Sequence, residues 1–255
     1  MSKRIALITG AAGGIGHAIA VALAGAGFRI VINDIVSEAD GNTIAAAFAA
    51  DAVYLHGDLL QPGVPAALLA AATARVGPVS VLVNNAGVQK VSPIVDFEEA
   101  DWNRVRGLSL DAAFLCTKAA LPAMIAAGWG RVINIASAHG LVASPFKAAY
   151  VAAKHGLVGL TKATALEVAE QGITANAICP GYVRTPLVEA QVADQMRVHG
   201  LSREAVLRDI ILASQPTRRF VEPEEVGAMA TYLASDAARS ITGTAISIDG
   251  GWTAR

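Results

Sequence analysis

Residues 5–25 read IALITGAAGGIGHAIAVALAG. The first five residues form a short apolar run, which predicts a strand, and the Ala-rich composition of His17–Gly25 predicts a helix. Between them, Gly10, Gly14 and Gly16 allow the backbone to turn tightly and approach a phosphate beside the free N–H groups of a helix N-terminus. A strand, a glycine turn and a helix in this order predict a dinucleotide-binding loop, with a tight turn that binds nothing as the alternative.

Further short apolar runs follow and alternate with helical segments. We predict strands over Phe28–Asn33, Val53–His56, Val79–Val83, Val132–Ala136, Ile173–Cys179 and Ala245–Ile248. This alternation predicts an α/β fold with a Rossmann-like, doubly wound parallel sheet, and we expect a single domain over residues 1–255. Ligands of such sheets bind beyond the carboxyl ends of the strands. The residues that fall there are Gly10, Asp34, Asp58, Asn85 and Ser137.

The second half of the chain contains an excursion that the first half lacks. Helical segments are predicted over Leu187–His199 and Arg203–Ala213. Because this excursion follows a strand end, we expect residues of about 187–215 to cover the ligand edge as a small helical lid.

Several side chains at the predicted strand ends could bind an adenosine cofactor. Asp34 can accept hydrogen bonds from ribose hydroxyls and repels a 2′-phosphate. No Arg or Lys lies in the glycine loop or directly after Asp34, so the sequence favours NAD over NADP, unless the carboxylate is simply solvated. Asp58 could accept from an adenine amino group or cap the next helix. The small residues Asn84–Gly87 leave room for a flat ligand or form an ordinary turn.

The reacting groups are expected in residues 137–154, SAHGLVASPFKAAYVAAK. Tyr150 and Lys154 are four apart on a predicted helix and share one face. A nearby ammonium favours a phenolate, so we expect the tyrosine pKa to fall below its usual value of about 10. Tyr150 is therefore a candidate proton donor and acceptor, and Ser137, at a strand end, could hydrogen-bond the same substrate oxygen. A chance Tyr-x-x-x-Lys is the alternative.

Composition limits the remaining possibilities. The 255 residues include 20 basic and 21 acidic side chains without a basic run, which argues against nucleic-acid binding. Cys116 and Cys179 lie in apolar surroundings, as buried thiols in a reducing compartment do, and no Cys/His cluster has metal-ligand spacing. The apolar stretch Ala112–Ala127 is interrupted by Lys118 and Pro122, so we expect no membrane span. With no signal-peptide pattern, we expect a cytoplasmic protein whose extra apolar surface forms subunit contacts.

The chain resembles the classical short-chain dehydrogenases/reductases along its whole length. The residues that carry the resemblance are Thr9, Gly10, Gly14, Gly16, Asn84, Asn85, Ala86, Gly87, Ser137, Tyr150, Lys154, Pro180 and Gly181. The resemblance implies a nicotinamide cofactor and a homotetramer. It implies that Tyr150 is the acid and base, that Ser137 orients the reacting oxygen, and that Lys154 binds the nicotinamide ribose. Further cofactor contacts are implied for Ile15, Leu59, Val183 and Thr185.

One position departs from the family pattern. The family usually has an asparagine that binds a water of a proton relay, where this chain has Ser109. The serine hydroxyl reaches less far, so we expect an extra water to complete a relay from Ser109 to Lys154.

Within the family, the chain is most similar to the D-3-hydroxybutyrate dehydrogenases. The similarity rests on Asn85–Gln89, Ser137–Val142, Lys147–Gly156, Gln191 and Asp249–Trp252. It implies that the substrate carboxylate is bound by Gln89, His139, Lys147 and Gln191, and that Trp252 packs on the carbon chain. Charge-assisted bonds from Lys147 and a protonated His139 would suit an acid. As alternatives, Lys147, His139 and Gln191 are solvated polar residues and Trp252 is a packing or subunit contact.

The expected reaction is NAD-dependent interconversion of (R)-3-hydroxybutyrate and acetoacetate. Two alternatives remain at this point. One is a related enzyme that acts on a sugar alcohol, a steroid or a 3-oxoacyl thioester, against which Asp34 and the polar set around Lys147 argue. The other is a non-catalytic dinucleotide-sensing protein, against which the intact set of Ser137, Tyr150 and Lys154 argues.

Overall fold

Seven short runs of mainly buried apolar residues form the strands of one sheet. The computed structural model describes residues 3–48 and 52–254, except for the side chains of residues 187, 190, 191, 194, 195 and 198. The strands are β1 Ile5–Thr9, β2 Arg29–Asp34, β3 Ala52–His56, β4 Val81–Asn84, β5 Gly130–Ile135, β6 Ile173–Pro180 and β7 Ala245–Ile248. Five of the predicted strands differ from these bounds by one or two residues at an end, and Ile5–Thr9 and Ala245–Ile248 match at both ends.

All neighbouring strands pair in parallel in the order β3-β2-β1-β4-β5-β6-β7. The chain adds strands outward from β1 to β3, then returns to the other side of β1 with β4. The order therefore reverses between β1 and β4, where α/β sheets leave a crevice for ligands. The predicted doubly wound, Rossmann-like sheet is confirmed.

Helices cover both faces of the sheet. They are α1 Gly14–Gly25, α2 Glu38–Ala46, α3 Val64–Val76, α4 Glu99–Arg106, α5 Ala112–Ala127, α6 Ala148–Glu167, α7 Pro186–His199, α8 Arg203–Val206 and α9 Pro223–Ala234. Successive strand residues point to opposite faces. Thus Ala6 and Ile8 pack with α1 and α9, whereas Leu7 packs with α3 and α5. Burial on both faces explains why the strands are apolar throughout rather than alternating.

Helices α4 and α5 form one continuous helical segment. A single wider turn, Gly107–Asp111, joins them without a break, and Pro122 lies inside α5. Lys118 and Pro122 thus interrupt the apolar composition of this stretch but not its helix. By length and composition alone, the 29 residues Glu99–Ala127 could cross a membrane. In the fold, however, Cys116, Ala120 and Met124 pack against the sheet, as residues of a core helix do.

The excursion after β6 folds back as a separate small layer. Helices α7 and α8 and the wider turn Leu207–Ile211 bury a cluster made of Val192, Val206, Ile211, Leu212 and Phe220. The second predicted helix, Arg203–Ala213, is therefore only partly α-helical. The end of the excursion is tied to the sheet by buried Gln215, whose side-chain oxygen accepts from the Tyr182 N–H and whose amide donates to the Arg219 carbonyl.

Candidate active site

The glycine loop has the conformation that a phosphate site needs. Gly10 and Gly14 have φ angles of +63° and +55°, in the left-handed region that favours glycine. A Cβ atom at Gly16 would collide with the Gly10 carbonyl and the Asn85 amide. Helix α1 begins at Gly14 without a side-chain cap, so its first N–H groups face the loop. This cradle fits the pyrophosphate of a dinucleotide.

Hydrogen bonds fix the loop after β4 against the glycine loop. The Thr9 hydroxyl accepts from the main-chain N–H groups of Asn85 and Ala86, each at 3.0 Å. In return, the Asn85 amide donates to the carbonyls of Thr9 at 2.9 Å and Gly10 at 2.8 Å. The Asn85 side chain therefore shapes the crevice, and the small residues Ala86 and Gly87 form its floor.

Asp34 lies at the end of β2 and faces the glycine loop. Its carboxylate accepts from the Ala12 N–H at 2.9 Å and from the Ile35 N–H at 2.7 Å. It borders a cavity that Leu59 and the exposed side chain of Arg104 also line. The place and polarity of this cavity fit an adenosine. Sequence reasoning missed Arg104, because only the fold brings α4 to this cavity.

Asp58 stabilises the turn after β3 and does not cap α3, whose N-cap residue is Gly63. One carboxylate oxygen accepts from the Leu60 N–H at 3.0 Å and the other from the Gln61 side-chain amide at 3.1 Å. Asp58 thus stabilises the turn before α3, although it also lines the cavity beside Asp34. Helix α3 begins at Val64, after this turn.

Ser137, Tyr150 and Lys154 come together where β5 ends and α6 begins. The Lys154 ammonium donates to the Ile135 carbonyl at 2.7 Å and lies 5.5 Å from the centre of the Tyr150 ring. The Ser137 hydroxyl accepts from the His139 N–H at 3.1 Å. An ammonium ion fixed by one carbonyl still has further N–H groups for a ligand.

Burial dominates the electrostatics of this group. Desolvation lowers the pKa of Lys154 to about 8. It also raises the pKa of Tyr150, although a hydrogen bond with Ser137 acts in the opposite direction. The expectation that Lys154 lowers the tyrosine pKa is therefore wrong for the protein without ligands. Loss of hydration destabilises the phenolate by more than the hydrogen bond with Ser137 stabilises it.

Ser109 lies in the wider turn between α4 and α5. Its side chain is buried, and its hydroxyl has no hydrogen-bond partner within residues 3–48 and 52–254. A Cβ atom built on Gly87 would lie 3.2 Å from this hydroxyl and 3.6 Å from the Lys154 nitrogen. Ser109 and Lys154 therefore flank Gly87, and the serine does not bond the lysine directly.

A middle cavity lined by Asn85, Gly87, Tyr150 and Lys154 lies between the adenosine cavity and a third cavity, which contains most of the implied substrate residues. This third cavity is lined by residues that include Ile15, Gln89, Ser137, His139, Lys147, Tyr150, Gly181, Val183, Thr185 and Trp252. It offers about 150 Å³, well below the about 300–1,000 Å³ of pockets for drug-sized ligands. Pro180 ends β6 directly before this cavity. The side chain of Gln191 lies outside the described part of the chain.

Lys147 precedes α6 as its N-cap residue rather than lying within it. Its ammonium is 5.6 Å from the centre of the Tyr182 ring, and burial lowers its pKa. Trp252 stacks on the same Tyr182 ring, with centroids 5.6 Å apart and an interplanar angle of 8°. The turn that places Trp252 is closed by Asp249, whose carboxylate accepts from the N–H groups of Gly251 and Thr253.

His139 is neutral in this environment. Burial, followed by the charges of Lys147 and His155, lowers its pKa to about 4. The expectation of a protonated His139 is therefore wrong. Its Nε2 atom lies 2.9 Å from the hydroxyl of Ser144, a contact that the sequence did not indicate.

Known proteins resemble this chain along nearly its full length. A family model described as enoyl-(acyl carrier protein) reductase matches residues 10–253. A D-beta-hydroxybutyrate dehydrogenase of Rhizobium meliloti is 50% identical over 99% of this chain and 99% of its own. One of Cupriavidus necator is 45% identical over 100% of both chains. A crystal structure from Agrobacterium tumefaciens, provisionally named a gluconate dehydrogenase, is 33% identical, with a TM-score of 0.90 over 100% of this chain and 97% of its own.

Proposed function

The chain belongs to the short-chain dehydrogenase/reductase family, and from that membership we propose that it interconverts (R)-3-hydroxybutyrate and acetoacetate with NAD. Membership makes it an oxidoreductase that uses a nicotinamide dinucleotide. One observation carries the substrate assignment. A small cavity brings the amide of Gln89 and the ammonium of Lys147 to the same space as the hydroxyls of Ser137 and Tyr150.

Proton transfer is assigned to Tyr150. The bound nicotinamide supplies the hydride acceptor or donor. Tyr150 takes the proton of the C3 hydroxyl during oxidation and returns it during reduction, while Ser137 donates a hydrogen bond to the same oxygen. Lys154 orients the cofactor ribose and adds a positive charge beside the phenol. The hydrogen bond between Ser137 and Tyr150 supports this arrangement.

The other polar side chains of this cavity, Lys147 and Gln89, suit a carboxylate. Lys147 provides a positive charge, and Gln89 provides an uncharged donor. A short acid that bonds these groups places its C3 atom near Tyr150 in one orientation, so a single stereoisomer presents its hydrogen to the nicotinamide. The ring of Trp252, stacked on Tyr182, offers an apolar surface to the carbon chain of the acid.

The carboxylate of Asp34 supports NAD over NADP. It borders the adenosine cavity and would lie close to the 2′ position of the ribose. A 2′-phosphate would meet this negative charge at short range, and like charges brought together are unfavourable.

The first experiment compares substrates with the purified protein. NAD is supplied with (R)-3-hydroxybutyrate, (S)-3-hydroxybutyrate or 3-hydroxybutyryl-CoA, and formation of reduced cofactor is followed by absorbance. We expect turnover confined to the free (R) acid. Turnover of the thioester, a sugar alcohol or a steroid alone would overturn the substrate assignment but retain the reaction class. Cofactor binding without turnover of any alcohol would instead favour a dinucleotide sensor.

A further inference from the structure

The loop between β5 and α6 holds two residues in contact, His139 and Ser144, to which the proposed reaction assigns no role. His139 lies in the short turn Ala138–Gly140 directly after Ser137, and Ser144 lies before the first turn of α6. The Ser144 hydroxyl and the His139 Nε2 atom are 2.9 Å apart, a normal hydrogen-bond distance. His139 is only 4% exposed, whereas Ser144 is half-buried, so the bond is partly buried.

Ring packing fixes the orientation of the imidazole. It meets the Trp252 ring edge to face at 5.0 Å and the Tyr150 ring at 6.0 Å. With Nε2 bonded to Ser144, the remaining nitrogen is Nδ1. Within the described chain Nδ1 has no protein partner, and it is not sealed in the interior, while the ring as a whole lines the substrate cavity.

A neutral imidazole carries one N–H group, and its position decides what the ring can bind. If Nε2 carried the hydrogen and donated to Ser144, Nδ1 would present a lone pair to the cavity and repel a carboxylate. If the Ser144 hydroxyl donates to Nε2, the hydrogen lies on Nδ1. The ring can then donate to an anionic ligand without being charged.

We propose that Ser144 is a positioning residue, which donates its hydroxyl hydrogen to His139 Nε2 and so fixes the tautomer whose Nδ1–H faces the substrate carboxylate. The inference rests on the proposed function, because it assumes an acid in this cavity. It assigns to Ser144 a part in substrate specificity that acts only through His139. The titratable groups around the ring are Lys147, His155 and Tyr150.

Kinetics of Ser144→Ala test the consequence for binding. We expect KM for (R)-3-hydroxybutyrate to rise about tenfold, the effect of one lost hydrogen bond to a charged group. The kcat value should change less, and Kd for the reduced cofactor should stay the same. Ser144→Thr keeps the hydroxyl and should restore most of the affinity. Ser240→Ala, at an exposed serine away from this cavity, is the control. An unchanged KM in Ser144→Ala would overturn the proposal.

Nitrogen-15 NMR of histidine-labelled protein tests the tautomer itself. The His139→Gln variant identifies the His139 signals. In the ligand-free wild type we expect a protonated Nδ1 and a bare Nε2, and in Ser144→Ala a shift toward the other tautomer. A protonated Nε2 in the wild type would refute the proposal. This readout needs no turnover, so it separates failure of the Ser144 assignment from failure of the substrate assignment.

Discussion

At the scale of single residues, the pKa of Lys154 makes a direct prediction about pH. Burial lowers this pKa to about 8, so the ammonium loses its charge as the pH rises through 8. We expect kcat/KM for NAD, which reports the free enzyme, to fall on the alkaline side with an apparent pKa near 8. In Lys154→Arg the guanidinium stays charged, so the alkaline fall should disappear even where the overall rate is lower.

The pH profile of Lys154→Arg can also contradict this assignment. If Lys154→Arg retains an alkaline fall near pH 8, another group titrates there and the assignment to Lys154 is wrong. Thermal unfolding of both proteins at pH 7 shows whether the variant is folded before the profiles are compared.

The charge of Lys147 is predicted to act on substrate binding. Replacing it with Ala should raise KM for the acid by about 10–100-fold, because a charge-assisted bond is lost from a partly enclosed site. Lys162→Ala removes an exposed lysine farther along α6 and serves as the control. Steady-state kinetics of both variants measure this effect. If Lys147→Ala and Lys162→Ala had the same KM for the acid, a contact between Lys147 and the carboxylate would be excluded.

Asp34 is predicted to set the preference between cofactors. Asp34→Asn keeps the side-chain shape and one acceptor but removes the charge. We expect the ratio of kcat/KM for NAD to that for NADP to fall by about tenfold or more, as a like-charge clash is relieved. Glu38→Ala, at an exposed carboxylate in the first turn of α2, should leave the ratio unchanged. An unaltered ratio in Asp34→Asn would contradict the assignment.

Residue spacing predicted most of this site. Tyr150 and Lys154 face the same side because a helix repeats at that interval, and Ser137 joins them because parallel strands end at one edge. The direction of the Tyr150 pKa shift could not be predicted, since it depends on burial by distant segments. The contact of Ser144 with His139 was missed because it depends on the path of an irregular loop.

At the scale of elements, the C-terminal turn is predicted to depend on one carboxylate. Asp249 is 5% exposed and accepts from two main-chain N–H groups and the Thr253 hydroxyl. Asp249→Ala should lower the free energy of unfolding by about 1–3 kcal/mol, because buried donors lose their acceptor. It should also raise KM for the acid, since Trp252 follows this turn. Urea unfolding measures the first effect, with Asp209→Ala at an exposed ion pair as the control.

If Asp249→Ala unfolds at the same urea concentration as the wild type, these bonds do not stabilise the turn. Unchanged stability with a raised KM would show that the carboxylate positions Trp252 without stabilising the fold.

Element prediction succeeded where a pattern is local. Apolar runs located the strands, because burial on two faces leaves a clear composition, and Ala-rich segments located α1 and α6. The wider turns at Gly107–Asp111 and Leu207–Ile211 were not predicted. No local signal marks them, since the same residues could continue a regular helix.

At the scale of the whole molecule, the outer surface of α5 and α6 supports the proposal of a homotetramer. These helices lie side by side, since Ala113 packs with Leu157 and Val158. Their outer faces expose Phe114, Ile125 and Leu166, and Leu166 is 81% exposed in the single chain. A second copy that covers this face with its own would remove these side chains from water, as symmetric interfaces do.

Leu166→Asp is therefore predicted to reduce the assembly. Light scattering after size-exclusion chromatography should give a tetramer for the wild type and a smaller species for the variant, because a buried charge without a partner destabilises an interface. Val21→Asp, at an exposed position on α1, is the control. A wild-type monomer, or a tetramer that Leu166→Asp leaves intact, would refute this interface.

Trp252 stacks on Tyr182 and meets the His139 ring edge to face, so its fluorescence depends on this cavity. The sequence has three tryptophans, so changing Trp102 and Trp129 to Phe leaves one indole, located in the substrate cavity. Emission from that indole responds to whatever displaces water or shifts the neighbouring rings. Such a protein reports the arrival of a molecule in the cavity without dye, label or turnover, including acids that bind and never react.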